Sequence, residues 1–192
     1  MYLPNQEFAK VVKQWVSLGD VMIYEYYTLG AWGATKTLWP MVHNMRHDIP
    51  WYRDLGVKGF YTQCVQARWY RCPLNHYIAA KLVWNADLDV DWLIDDFCEK
   101  FFNEAAEPMK RYLLGIEEVF ADSGQCISSY LPAGTPEVLK SKLFNNATCD
   151  RLRGDLSEAA RQAKTDTIRA RIAAIRRGLE DSSHPVEFDG EF

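Results

Sequence analysis

The sequence lacks any continuous apolar run of the roughly eighteen residues that a membrane-spanning helix needs. It also has no Gly-rich phosphate loop, no G-x-S-x-G nucleophile elbow and no H-E-x-x-H zinc motif. The formal net charge is −4, which gives no general attraction to nucleic acid or to an anionic membrane surface. We therefore expect neither nucleic acid nor membrane as a partner, and no cofactor.

The cysteines are few and scattered. There are five, at positions 64, 72, 98, 126 and 149, with no C-x-x-C pair among them. This spacing predicts neither a disulfide framework nor a zinc ribbon, so we expect packed thiols. The first residues, MYLPNQEF, lack the basic start and apolar stretch of a signal peptide, and we expect none in this chain. The compartment stays open.

Aromatic residues, by contrast, are abundant: the 192-residue chain has seven Trp and ten Tyr. With 48% apolar residues it is long enough for one ordinary domain with a hydrophobic core. An aromatic excess is typical both of large cores and of sites that stack on sugar rings. Composition alone favours the core.

The first 72 residues alternate between helix and strand patterns. Helical spacing predicts a helix over 5–18 with Asn5 as its N-cap, and another over 41–55 that Pro50 should kink or restart. Apolar and aromatic runs predict strands over 21–27 and 57–64. This order predicts a helix-rich α/β fold, namely a partial (β/α)-barrel, since two strands cannot close a barrel of about eight.

The rest of the chain has only helical patterns. Helices are predicted over 74–84, over 89–121 with Asp89 or Asp91 as the cap, and within 136–180. In the last region an apolar stripe is formed by Ile168, Ile172, Ile175 and Leu179. The predicted organisation is βα units over 1–72, a helical region packed on them over 73–181, and a loose polar tail over 182–192.

Several motifs resemble one known family. They include Leu74-Asn75 followed by an aromatic residue, Ala80-Lys81-Leu82-Val83-Trp84-Asn85, Asp87-x-Asp89, Phe97-Cys98, and Ala105-Ala106-Glu107-Pro108-Met109. Upstream, the segment 5–15, Tyr24-Glu25-Tyr26, Pro40 and 56–59 also fit. Over about residues 5–120 the chain resembles a bacterial domain, long described as of unknown function, that forms the barrel of glycoside hydrolase family 163, the endo-β-N-acetylglucosaminidases acting on N-glycans.

This resemblance implies a C-terminal part of a glycan-cleaving barrel whose earlier strands lie in an N-terminal portion of the full-length relatives. In enzymes of this kind the acetamido group of the substrate acts as nucleophile, one carboxyl group orients it and another protonates the leaving oxygen. Relatives carry a Glu near the end of the second strand, where this chain has Thr62 and Gln63. Neither side chain is a general acid, which counts against the inherited mechanism.

Glu25 is the best single candidate for catalysis. In a strand it shares a face with Val21, Ile23 and Tyr27, and apolar surroundings raise the pKa of a carboxyl group, as a general acid requires. The alternative is a buried structural Glu paired with an Arg or with Tyr hydroxyls. The residues alone support the catalytic and the structural role of Glu25 nearly equally, and the resemblance favours the catalytic role.

No second carboxylate stands out. Asp48 and Asp54 lie on the following helix and are expected to face away from a barrel mouth. Asp87, Asp89 and Asp91 have the pattern of a turn followed by a helix cap. His43 and His47 lie four residues apart on the same helix, but without a third ligand they predict a surface pair, not a metal site.

Side chains on or after the strand ends are the candidates for sugar binding: Tyr27, Trp32, Trp39, Tyr61, Gln63 and Trp69. Each alone is more typical of core or loop packing, and only as a group do they favour a carbohydrate groove.

The leading hypothesis is a glycoside-hydrolase-type domain with Glu25 as acid/base. The alternative is a non-catalytic fragment that binds carbohydrate, or that forms a homodimer through an exposed barrel edge. The arginines near the C-terminus also allow a basic interaction module, although interspersed acidic residues favour a solvated helix face.

Overall fold

In this computed structural model, which describes residues 3–27, 38–62, 69–122 and 142–183, two short parallel strands lie among seven α-helices. In chain order these elements are α1 (Leu3–Leu18), β1 (Met22–Glu25), α2 (Val42–Leu55), β2 (Gly59–Thr62), α3 (Pro73–Trp84), α4 (Val90–Phe102), α5 (Ala106–Asp122), α6 (Asn146–Gln162) and α7 (Asp166–Ser183). Short 3₁₀ turns occupy Trp69–Arg71 and Asn103–Ala105. The fold class is helix-rich α/β.

The sheet consists of β1 and β2, joined in parallel from the pair Met22–Gly59 to the pair Glu25–Thr62. Side chains alternate across a strand, so one face carries Ile23 and Phe60, which pack with Tyr52 of α2. Met22, Tyr24 and Tyr61 point to the other face and are 67%, 50% and 63% exposed. The described strands form an open two-stranded sheet. Of the predicted partial barrel, they therefore show one parallel β-α-β unit and no barrel.

Helix α1 packs against this unit along a narrow stripe. Val12 is buried and Val16 half-buried beside Ile23 and Tyr52. The other apolar residues of the predicted helix face remain exposed: Phe8, Val11, Trp15 and Leu18. The predicted N-cap is wrong, because α1 begins at Leu3 and Asn5 lies inside it.

Asn75, near the start of α3, is the buried polar residue that joins the sheet to the helices. Its side-chain amide nitrogen donates to the carbonyl oxygens of Tyr27 and Trp39 at 2.9 and 2.7 Å. Its side-chain oxygen accepts the Met41 backbone N–H at 3.2 Å. One amide thereby satisfies main-chain groups on both sides of residues 28–37 and sets the distance from the end of β1 to the start of α2.

Both ends of α2 are closed by specific contacts. The Glu117 carboxylate of α5 accepts hydrogen bonds from the backbone N–H groups of Val42 and His43. These N–H groups lie in the first turn of the helix, at its positive end, and have no acceptor within the helix. At the other end Gly56 adopts φ 91°, a left-handed conformation that glycine tolerates without a side-chain clash. The helix continues through Pro50 as one element, so the predicted restart there is wrong.

The helical region differs from the sequence-based prediction at two joints. Asp89 caps α4 by accepting the N–H groups of Asp91 and Trp92, as predicted. The single helix expected over 89–121 is instead broken at Asn103, whose φ is 48°. The final region, predicted over 136–180, contains α6 and α7 separated at Ala163; its residues before 142 lie outside the described part.

Helix α7 uses the predicted apolar stripe for packing, since Ile168, Ile172, Ile175 and Leu179 are all buried. It extends to Ser183, slightly beyond the predicted start of the tail, and residues 184–192 are outside the described range.

A buried ion pair connects the 3₁₀ turn before α3 to the end of α7. The Arg71 guanidinium donates to the Asp181 carboxylate at 2.6 Å, and only 5% of the Arg71 side chain is exposed. Removing one partner of such a pair strands the other charge in an apolar environment. The contact therefore fixes the turn against the last helix.

One main core extends across residue 72, with Tyr27, Leu38 and Val42 packed in the same cluster as Leu179. Cys72, Cys98 and Cys149 are buried, as the expectation of packed thiols predicts, whereas Cys64 and Cys126 lie outside the described residues. None of the described helices is both long and apolar enough to cross a membrane.

We predict that Asn75→Ala lowers the free energy of unfolding by about 2–4 kcal/mol, because it leaves three main-chain groups without their partner. Urea denaturation followed by circular dichroism measures the change. The control is Asn44→Ala on the exposed face of α2, which should shift stability by less than about 0.5 kcal/mol. Equal effects of the two substitutions would contradict the role given to Asn75.

Candidate functional site

Glu25 lies at the carboxyl end of β1, the end of parallel strands where α/β proteins bind ligands. Its side chain is half-buried and accepts a hydrogen bond from the Tyr52 hydroxyl at 3.0 Å. Burial raises the pKa of Glu25; the Tyr52 hydrogen bond opposes this, and the charge of Asp48 adds to it. The group is thus biased toward its protonated form.

The second carboxyl group of the site belongs to Asp48 on α2, one turn before Tyr52. It is half-buried, and burial raises its pKa against the opposing effect of His47 and His43. The expectation for Asp48 concerned a barrel mouth, which the described strands do not form; here its charge acts on Glu25. Two carboxyl groups that share a partly buried environment hold protons more tightly than isolated ones.

Two hydroxyl groups beside these carboxyls have no hydrogen-bond partner among the described residues. They are the buried Tyr27 hydroxyl and the buried Thr62 Oγ1 atom. Thr62 pairs with Glu25 in the sheet and so lies on the same face of it, while Tyr27 interacts electrostatically with both carboxyl groups. Burial without a hydrogen bond is costly, so these hydroxyls are suited to a polar ligand.

The arrangement provides two carboxyl groups whose pKa values are raised by burial. A buried carboxyl with a raised pKa can give a proton to an oxygen leaving group at neutral pH. The described residues contain no cluster of His, Cys, Asp or Glu suited to a metal ion. His43 and His47 form the predicted exposed pair, with ring centroids 5.3 Å apart.

The predicted sugar-binding residues lie in separate places. Tyr27 is buried beside Glu25, whereas Tyr61 is exposed on the opposite face of the sheet, where its ring lies 5.0 Å from that of Tyr24. Trp39 packs edge-on against Phe120, away from the open face. Trp69 lines a groove between helices. Trp32 and Gln63 lie outside the described residues.

Sequence reasoning missed Asp48 and Tyr52 as neighbours of Glu25. The signal was present, because Met45, Ile49 and Tyr52 are buried at helical spacing and Asp48 lies on the same side of α2. What the sequence does not show is that the predicted helix would place this side over the end of β1.

A family model described as "Domain of unknown function (DUF4838)" matches residues 3–114, which is more than half of the chain. The chain belongs to this family. The match extends from α1 into α5 and therefore includes β1, α2 and β2, which build the carboxyl site. No curated protein and no solved structure matches the chain significantly.

We predict that Glu25→Gln changes the pH dependence of stability. A carboxyl group whose pKa is raised on folding contributes stability that is fully present below its unfolded value of 4.5 and is lost as pH rises through the folded value. The neutral amide removes this loss, so the mutant should gain stability relative to the wild type between pH 4 and pH 7.5.

Urea denaturation at both pH values measures this difference. Glu99→Gln, at an exposed position on α4, is the matched control and should show little pH-dependent gain. A wild-type and Glu25→Gln pair whose stability difference stays constant with pH would rule out the raised pKa.

Proposed function

We propose that this chain is a glycoside-hydrolase-type domain acting on glycans in the manner of an endo-β-N-acetylglucosaminidase, with Glu25 as the proton donor. The observation that carries the proposal is a half-buried carboxyl group of raised pKa at the carboxyl end of a parallel strand, beside a second such group. The sequence resemblance to family 163 enzymes supports the same chemistry.

In the proposed reaction Glu25 gives its proton to the glycosidic oxygen as the bond from that oxygen to the anomeric carbon breaks. The acetamido oxygen of the substrate forms the new bond to that carbon, and water later opens the cyclic intermediate. Asp48 accepts the acetamido N–H and so orients the nucleophile. The charge of Asp48 on α2 acts on Glu25, which supports these paired roles.

The unpartnered hydroxyls of Tyr27 and Thr62 would bind sugar hydroxyl groups. Neither finds a hydrogen-bond partner within the described part of the chain, so a ligand that supplies one removes an energetic cost of about 1–3 kcal/mol. This gain is specific to ligands rich in hydroxyl groups, which is consistent with a glycan.

A second candidate function, carbohydrate binding or self-assembly without catalysis, is favoured by the open face of the sheet. Met22, Tyr24 and Tyr61 are exposed there. Each of the two described strands also has one edge without a strand partner in the described chain, and such edges invite pairing. These features support a homodimer through this region.

We predict that the chain releases glycan from N-glycoproteins and that Glu25→Gln lowers the rate at least about a hundredfold, since the amide cannot donate the proton. Mass spectrometry of the released glycan measures the product. Asp48→Asn should also lower the rate, because an amide orients the acetamido group poorly.

Asp54→Asn is the control, because Asp54 lies on the same helix but is exposed and paired with Arg53. It should leave the rate unchanged. Absence of product from the wild type, or full activity of Glu25→Gln, would overturn the catalytic proposal and leave the binding alternative.

We predict that the chain self-associates as its concentration rises, and that the double substitution Tyr24→Lys with Tyr61→Lys keeps it monomeric by placing charge on the open face. Sedimentation velocity measures the state. Trp92→Lys, at an exposed apolar residue on α4, is the control and should leave association intact. A wild type that stays monomeric throughout would contradict the homodimer.

A further inference from the structure

A cavity that does not include Glu25 lies between the 3₁₀ turn at Trp69–Arg71 and helices α3, α4 and α7. It is a groove of about 510 Å³, within the size range of small-molecule sites. Four aromatic rings line it in a row, with centroids 5.7 Å apart between Trp69 and Phe101, 5.1 Å between Phe101 and Phe97, and 5.3 Å between Phe97 and Tyr77.

Arg171 of α7 places a cation in this aromatic groove. Its guanidinium lies 4.2 Å from the centre of the Phe101 ring and donates one hydrogen bond to the Phe101 carbonyl oxygen at 2.8 Å. No carboxylate of the described residues forms an ion pair with it. A guanidinium has five N–H donors, so most of its capacity remains for an anion.

The other charges of the groove do not cancel that of Arg171. The Asp96 carboxylate accepts from the Tyr77 hydroxyl and pairs with Lys100, so Lys100 is already balanced. Lys81 adds positive charge nearby, 5.4 Å from the centre of the Tyr77 ring. The groove as a whole is therefore cationic and favours an anionic ligand.

We propose that this groove binds a carboxylate-bearing sugar unit of an acidic glycan, such as a uronic acid residue. This inference goes beyond the proposed function, because the groove would bind an acidic sugar whether or not the chain cleaves N-glycans. The carboxylate pairs with Arg171, the apolar face of the sugar ring lies on the exposed side of Trp69, and the ring hydroxyls bond to Asp96 and Lys100.

An aromatic acid has the same combination of a ring and a carboxylate, but it fits the polar side chains less well. Asp96, Lys100 and His76 all line the groove. A ring without hydroxyl groups would desolvate these groups and return no hydrogen bond. A sugar supplies several donors and acceptors for these groups, and the apolar face of its ring suits the largely apolar lining of the groove.

The test is isothermal titration calorimetry with a trisaccharide of galacturonic acid, the neutral galactose trisaccharide and phenylacetate. We expect the acidic trisaccharide to bind at least about tenfold more tightly than the neutral one, because only it makes the charge-assisted bonds to Arg171. Phenylacetate should bind weakly or not at all.

Arg171→Gln should weaken binding of the acidic trisaccharide by about tenfold or more and leave the weak binding of the neutral one unchanged. Arg161→Gln removes the same charge from an exposed position on α6 and should have no effect, which separates local pairing from net charge. Trp69→Phe should weaken both trisaccharides while preserving the circular dichroism spectrum.

Equal binding of the acidic and neutral trisaccharides, no binding of either, or preferential binding of phenylacetate would each overturn the proposal. The wild-type chain distinguishes this outcome from failure of the proposed function. If it binds the acidic trisaccharide but releases no glycan, the groove site is supported and hydrolysis is rejected. Glu25→Gln should leave binding to the groove unchanged.

Discussion

The structure depends on one buried amide, that of Asn75. A single side chain accepts from Met41 and donates to the carbonyl oxygens of Tyr27 and Trp39, so α3 holds the end of β1 and the start of α2 together. The contact between Glu25 and Tyr52 joins those same two elements. Because buried main-chain groups must find partners, a shift of α3 would unpair several of them at once. The geometry of the carboxyl site therefore depends on a residue that does not belong to it.

The carboxyl site contains two partly buried carboxyl groups near each other, an arrangement that does not stabilise the fold. Burying Glu25 and Asp48 near each other costs free energy, and neither has an Arg or Lys partner to offset the cost in the hydrogen bonds and ion pairs of the described residues. Elsewhere Arg71 pairs with Asp181 and Asp96 with Lys100, whereas the Glu117 carboxylate is held by the backbone N–H groups of Val42 and His43. Carboxyl groups whose pKa stays raised despite such partners, together with the hydroxyls of Tyr27 and Thr62 that lack a hydrogen bond among the described residues, are features that ligand sites often share.

The sequence predicted the helices and strands well, but it predicted the breaks between helices and the contacts between elements poorly. Periodicity identified the helices, the Asp89 cap and the apolar stripe of α7, because each is encoded by residues a few positions apart. It missed the break at Asn103, since a positive φ at a residue other than glycine has no composition signal. It selected Glu25 but not Asp48, because their proximity arises from how α2 crosses the sheet. The ion pair between Arg71 and Asp181 joins residues 110 positions apart, and no local pattern indicates it.

That ion pair also relates the carboxyl site to the aromatic groove. The turn at Trp69–Arg71 contributes Trp69 to the groove, and its Arg71 is anchored on α7, the helix that supplies Arg171. Helix α7 and the turn at Trp69–Arg71 approach each other closely at Gly178. A Cβ atom added there would lie 3.5 Å from the Tyr70 carbonyl oxygen and 3.3 Å from the side chain of Leu38. Leu38 belongs in turn to the segment that Asn75 holds between β1 and α2. Packing contacts thus link the turn at Trp69–Arg71, α7 and Leu38, so the ion pair of Arg71 and the amide of Asn75 act on adjoining parts of one core.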